Sequence, residues 1–184
     1  MQFETFNFIK VTSTNDEAIN LIRKKKREYG FVSADLQTKG RGTNGKSWIS
    51  EKGNFFCSIF FQLKNHYPSF KEFSIINPII ISEVIKKFCN KKISIKSPND
   101  VLVNRKKICG ILQEIITLDK NKYLIIGIGI NIDSSPIING EYEATNIYYE
   151  SNKKPTIEEL IQNLTFFYEE FFNDIKSYNF INFK

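Results

Sequence analysis

Three stretches of this 184-residue chain carry residue types that could do chemistry. The first is Lys39-Gly40-Arg41-Gly42-Thr43-Asn44-Gly45-Lys46-Ser47-Trp48. Its glycines let backbone N–H groups approach an anion closely. Arg41 and Lys46 add positive charge, and an arginine can grip an oxyanion through two parallel hydrogen bonds. Gly40, Gly42 and Gly45 match G-x-G-x-x-G, but a dinucleotide site needs a helix directly after the third glycine. Trp48-Ile49-Ser50 leads instead into a β-type run, which speaks against a dinucleotide fold. The loop reads equally as an anion-binding lid or as a mobile hairpin loop.

The second stretch is Lys96-Ser97-Pro98-Asn99-Asp100. A lysine at a strand end beside a rigid proline turn is placed to hold an anion, whereas Asn99-Asp100 also fit ordinary turn chemistry. The third is Gly127-Ile128-Gly129-Ile130-Asn131. Glycine inside a strand marks a close approach of backbone or ligand, and Asn131 could reach a nucleotide or a metal-bound phosphate. Close strand packing explains the two glycines equally well.

Other chemistries are poorly served. Cys57, Cys89 and Cys109 are widely spaced without a C-x-x-C, and His66 is the only histidine. Neither a zinc site nor a Cys/His or Ser/His catalytic pair is expected, and no metal ligands are assigned. The net charge of +6 invites a nucleic-acid reading, but the densest run, Arg23 to Arg27, closes a predicted helix, where cations favour the negative dipole end. The phenylalanines fall on core-like positions, so no DNA partner is expected. The longest apolar runs, at 79–81 and 124–130, are far short of the roughly 20 residues that cross a bilayer. Free thiols and an N-terminus without a secretory pattern point to the cytoplasm.

The elements that must position these stretches follow from periodicity and turn residues. The pattern predicts strands at 3–6, 31–36, 54–62, 92–97, 101–103, 107–117 and 122–132. It predicts helices at 16–29, stopped by Gly30, at 71–89, with a kink or late start at Pro78, and at 157–178 after the capping box Thr156-Ile157-Glu158-Glu159. Residues 37–47 and 134–140 read as loops. A helix, mostly antiparallel strands with hairpins, and a closing helix make an α+β fold with a mixed, mostly antiparallel sheet.

Singly these stretches decide little, but their combination and order do more. Thr12-Ser13-Thr14-Asn15, the run from Gln37 to Trp48, Lys96-Ser97-Pro98-Asn99-Asp100 with Gly110-Ile111-Leu112-Gln113-Glu114, and Gly127-Ile128-Gly129-Ile130-Asn131 together resemble the biotin–protein ligase family, over about residues 10–135. The resemblance implies the catalytic domain of a biotin–[acetyl-CoA-carboxylase] ligase, with a class II aminoacyl-tRNA synthetase-like fold. It implies activation of biotin by ATP and Mg²⁺ to biotinyl-5′-AMP, then transfer to one lysine of a biotin carboxyl carrier protein.

By position, Ser13, Thr14, Asn15, Gln37, Arg41, Gly42, Thr43, Lys96 and Gly110 are implied to bind biotin. Lys46, Trp48, Asn99 and Asn131 are implied to bind ATP, and Arg41 and Lys96 to be catalytic. Hydroxyl and amide side chains suit a ureido ring, which offers both N–H donors and a carbonyl acceptor. Two positions depart from the family pattern: Thr43 stands where arginine is frequent, and Ser97 where tryptophan usually follows the lysine. Residues 1–184 are expected to form one catalytic domain, without the helix-turn-helix and SH3-like domains of some members. The resemblance also allows a homodimer paired through a sheet edge. The rival expectations are a lipoate or octanoate ligase or transferase of the same superfamily, and a non-catalytic biotin-binding module.

Overall fold

The structure, a computed structural model, describes residues 3–136 and 143–175. In chain order it contains β1 (Thr5–Phe8), α1 (Thr14–Lys25), β2 (Tyr29–Ala34), β3 (Phe55–Gln62), α2 (Phe70–Lys86), β4 (Ile93–Lys96), β5 (Asp100–Val103), β6 (Lys106–Leu118), β7 (Asn121–Ile130), α3 (Ile147–Ser151) and α4 (Ile157–Asn173). The strands form one sheet in the order β1-β2-β3-β7-β6-β5-β4. Among the described strands only β1 and β2 pair in parallel, and the other neighbours are antiparallel. This is the mixed α+β sheet that the sequence predicts.

Side chains of a strand alternate between the two faces of a sheet, and that alternation decides where the site can be. On β3, Phe55, Cys57, Ile59 and Phe61 point to the face covered by α2 and α4, together with Leu124, Ile126, Ile128 and Ile130 of β7. Phe60 and Ile125 point the other way, into a smaller cluster with Ala18, Leu21 and Ile22 of α1. The next two β7 positions on that second face are Gly127 and Gly129. Apolar packing therefore stops at Ile125, and space opens beyond it.

A hydrogen bond inside the larger core gives a stability test. Tyr168 and Asn77 are fully buried, and the Tyr168 hydroxyl donates to Asn77 Oδ1 at 3.0 Å. Tyr168→Phe should lower unfolding stability by about 1–3 kcal/mol, because it leaves a buried acceptor unpaired. Urea denaturation, with an unchanged m-value, checks this.

Several boundaries differ from expectation. Strands shift by one to a few residues, and β1 begins at Thr5 rather than residue 3. Helix α1 starts at Thr14 and ends at Lys25, with Lys26 in the left-handed region as its cap (φ 52°). Gly30 is not the stop signal. It lies inside β2, where a Cβ would come within 2.9 Å of the Phe60 ring, so its role is close packing. Helix α2 starts at Phe70, one residue earlier than predicted, and runs through Pro78 to Lys86, so there is no late start. Pro78 is buried, as are its neighbours Asn77, Ile80 and Ile81, and this burial offsets the lost backbone bond. The five-residue helix α3 is too short to show a period. Positions 137–140 of the predicted loop and 176–178 of the predicted last helix lie outside the described residues.

Candidate functional site

The space beyond Ile125 is a cavity of about 260 Å³. Its floor is the sheet face carrying Gly110 and Leu112 of β6 and Gly127 and Gly129 of β7, with Gly110 directly opposite Gly129 in the register. Two residues along a strand advance about 6–7 Å. The walls therefore follow one another along β7.

Beside Gly127 is a cluster of hydroxyl and amide groups at the start of α1. Ser13 is the N-cap residue, but its hydroxyl makes no cap bond. The backbone N–H and hydroxyl of Thr14 both donate to Gln37 Oε1, at 2.9 and 3.2 Å. The Ser58 hydroxyl, on the site face of β3, donates to Asn15 Oδ1 at 2.5 Å and lies 2.7 Å from the Thr14 hydroxyl. Asn15 is 2% exposed, and a Cβ on Gly127 would come 2.5 Å from its Oδ1. Here glycine is required for space alone.

Trp48 lies over Gly110 and Gly129. A Cβ on either glycine would fall 2.4 Å from its ring. The indole thus occupies a slot cut by two missing side chains, and it anchors the loop from Lys39 to Ser47 against the sheet. Within that loop Gly42 N–H bonds Lys46 O and Trp48 N–H bonds Gly40 O. The Thr43 hydroxyl accepts from Asn99 at 3.3 Å, which ties the loop to the Ser97-Pro98-Asn99 turn.

Beyond Trp48 lie Lys107 and Asn131. Lys107 Nζ sits 5.5 Å from the Trp48 ring and 2.7 Å from Asp100 Oδ1, a contact that is electrostatic rather than a directed hydrogen bond. Asn131 Nδ2 donates to Thr145 O at 3.0 Å. Its Oδ1, like Trp48 Nε1, is buried without a hydrogen-bond partner among the described residues. Two orphaned polar atoms on one cavity wall suit a polar ligand, since native buried polar groups are nearly always satisfied. Asn54 holds this end in place, its Oδ1 accepting from the N–H groups of Ile132, Asp133 and Ser134.

Nearly all the residues singled out in the sequence converge here: Ser13, Thr14, Asn15, Gln37, Arg41, Gly42, Thr43, Lys46, Trp48, Asn99, Gly110 and Asn131 line the cavity. Lys96 is not among the lining residues. It ends β4 opposite Asp100. The cavity's cations are instead Lys46 and Lys107, together with Arg41. A lysine at a strand start, such as Lys107, carries no local signal in the sequence. Its position three residues before Gly110 was the only hint. Burial pushes the thiols of Cys57 and Cys109 far above the ordinary range, so neither is an available nucleophile.

The mixed sheet thus carries a glycine-floored cavity that joins an amide–hydroxyl end to a tryptophan–lysine end. The chain belongs to the Biotin/lipoate A/B protein ligase family, which it matches over residues 5–131. It is 29% identical to the bifunctional ligase/repressor BirA of Bacillus spizizenii over 175 residues, 92% of this chain and 54% of that protein. It is 28% identical to the biotin–[acetyl-CoA-carboxylase] ligase of Paracoccus denitrificans, over 69% of this chain and 54% of the relative. The chain thus spans about half the length of these curated relatives. The biotin protein ligase of Aquifex aeolicus, solved with biotin and ATP, superposes with a TM-score of 0.81 at 29% identity, covering 98% of this chain and 75% of that one. The Leishmania major enzyme, solved with biotinyl-5-AMP, gives 0.79 at 26%, covering 96% and 76%. No helix among the described residues is long and apolar enough to cross a membrane.

Proposed function

We propose that this chain activates biotin with ATP to biotinyl-5′-AMP and transfers the biotinyl group to a lysine of a biotin carboxyl carrier protein. The observation that carries the reading is the cavity's two unlike ends, joined along β7 by Gly127 and Gly129. The hydroxyls and amides of Ser13, Thr14, Asn15 and Gln37 can satisfy a ureido ring. Trp48 offers a flat face to adenine, and Lys46 and Lys107 offer charge to phosphates.

In the first step a biotin carboxylate oxygen attacks the α-phosphorus and pyrophosphate leaves. In the second the carrier's lysine amine attacks the acyl carbon, AMP leaves, and the ammonium proton is lost to solvent. Cations beside the α-phosphate let two anions meet and stabilise charge that grows in the transition state. That work is assigned to Lys107, which lines the cavity beside Trp48. Lys96 is assigned to the biotin carboxylate by resemblance, and Asn99 and Asn131 to the nucleotide. Arg41 and Gly42 belong to the loop that covers the intermediate and excludes water.

Mg²⁺ is assigned to the nucleotide's own phosphates. Among the described residues no group of three histidine, cysteine or carboxylate side chains could hold a metal. Asp100 and Asp133 are engaged by Lys107 and Lys154. Residues 1–184 acting as one catalytic domain, a cytoplasmic location and a homodimer complete the proposal, and sedimentation with and without biotin and ATP tests the last.

A lipoyl or octanoyl substrate would leave the remaining hydrogen-bonding capacity of the polar groups at the Gly127 end unused, which costs affinity. Calorimetric titration with biotin, lipoate and octanoate checks this. Saturable binding of biotin alone is expected, and preferential binding of lipoate or octanoate would overturn the reading. Thr43→Arg, which restores a cation to the loop, should slow release of the adenylate by about tenfold, the scale of one added charge-assisted hydrogen bond. Filter-trapping of the enzyme-bound intermediate measures it.

A further inference from the structure

Arg41 is the most heavily engaged cation of the cavity. Its Nη1 and Nη2 donate to Glu114 Oε1 and Oε2 at 2.7 and 2.8 Å, a two-point grip, and Nη2 also reaches Asp16 Oδ1 at 2.9 Å. These groups come from three separate elements: the glycine loop, β6 and the first turn of α1. Burial alone would lower the Arg41 pKa, but bonding and charge from Glu114 and then Asp16 outweigh it and hold the guanidinium above its ordinary value. Two carboxylates on one guanidinium leave it no surplus positive charge for a phosphate.

Glu114 has a second task. Its Oε2 also accepts from Asn15 Nδ2 at 2.7 Å, while Asn15 Oδ1 accepts from Ser58. The amide is therefore oriented: its N–H₂ side faces the carboxylate, and the one lone pair left on Oδ1 is what it can offer a ligand. A carboxylate accepts only, so it cannot tolerate the flipped amide.

We propose that Glu114 is a positioning residue that performs two tasks with one carboxylate: with Asp16 it latches the glycine loop through Arg41, and it fixes Asn15 as an acceptor for a ligand N–H. The second task rests on the biotin reading, in which that N–H belongs to the ureido ring. The latch does not. Arg41 is then a strut that keeps the loop over the cavity, and the anion-binding charge is left to the lysines.

Two substitutions separate the tasks. Glu114→Gln keeps an acceptor for Asn15 and loses the charge on Arg41, while Glu114→Leu loses both. In ligand-free protein, hydrogen exchange at the amides of Gly42 and Trp48 reports the loop, and amides of Ile59 and Phe60 report the sheet. Both variants should speed loop exchange by about tenfold or more, the scale of a lost charge-assisted pair, and leave the sheet amides unchanged. In wild type, about 1 M NaCl should move the loop amides the same way, because the partners are part-exposed and screening is then short-ranged. This arm needs no variant to fold.

Biotin affinity should fall further in Glu114→Leu than in Glu114→Gln, through faster dissociation, whereas a merely structural role would weaken both equally. Loop amides that ignore both the substitution and the salt would overturn the latch. Equal biotin affinity in the two variants would overturn the orienting task. A wild type that does not bind biotin but loosens its loop in Glu114→Gln would keep the latch and overturn the biotin reading, with the orienting task that rests on it.

Discussion

Lys107→Ala is expected to lower biotin-dependent ATP–pyrophosphate exchange by about 10²–10³-fold, the usual cost of one positioned group that stabilises transition-state charge. Lys107 lines the cavity beside Trp48, and its ammonium sits 2.7 Å from Asp100. The two side chains are only 21% and 15% exposed, so water replaces neither partner well. Alanine removes the cation and leaves the shielded Asp100 carboxylate without its ion-pair partner. Some loss of fold stability will accompany the loss of activity, since truncating one member of a shielded pair strands the other. Lys107→Ala/Asp100→Asn separates the two effects. It should recover much of the stability and little of the exchange. If the double variant regains activity along with its melting temperature, Lys107 is a structural residue only. Biotin binding should change little in either variant, because the amide–hydroxyl cluster lies some two strand repeats away along β7.

Gly127→Ala should weaken biotin binding by about 100-fold, with a smaller loss of stability of about 1–3 kcal/mol from overpacking. The added methyl would come 2.5 Å from Asn15 Oδ1 and 3.2 Å from its Nδ2. Asn15 cannot simply move aside. Its Oδ1 accepts from Ser58 and its Nδ2 donates to Glu114, so displacing it breaks bonds at both ends of a buried network. Buried polar groups left unpaired discriminate strongly, which is why one methylene-sized change is large here. Gly127→Ala/Asn15→Gly removes the obstacle and should restore the fold while leaving binding weak. Unchanged biotin affinity in Gly127→Ala, measured by calorimetry, would mean that this end of the cavity does not hold the ligand.

Much of this was legible in the sequence because it is local. Capping, turn chemistry and period-two strands gave the sheet and its hairpins, whose turn residues Asn104-Arg105 and Asp119-Lys120 adopt positive φ in the structure. The four motifs gave most of the cavity wall, as each is a short run whose residues stay together in any fold. What escaped depends on contacts between distant residues. Gly30 looked like a helix stop because glycine serves there so frequently, but its partner is Phe60, thirty residues on. Glu114 looks like an ordinary strand residue until the register of β6 against β7 sets it opposite Ile125, and Lys107 does so until the register shift of β6 against β5 turns it to the glycine face. The role of Gly110 and Gly129 is invisible until Trp48 is seen to fill the space that both leave. Arg41 was legible as charged but not as spoken for, since Asp16 and Glu114 approach it from opposite sides of the chain.

The most direct test of adenylation is isotope exchange between labelled pyrophosphate and ATP, with purified chain, Mg²⁺ and, in parallel, biotin, lipoate or octanoate. Exchange that requires biotin and falls in Lys107→Ala is the predicted result, since only a reversible attack of the carboxylate on the α-phosphorus returns label to ATP. Exchange driven by lipoate or octanoate, or none with any acid from a folded, biotin-binding chain, would contradict it.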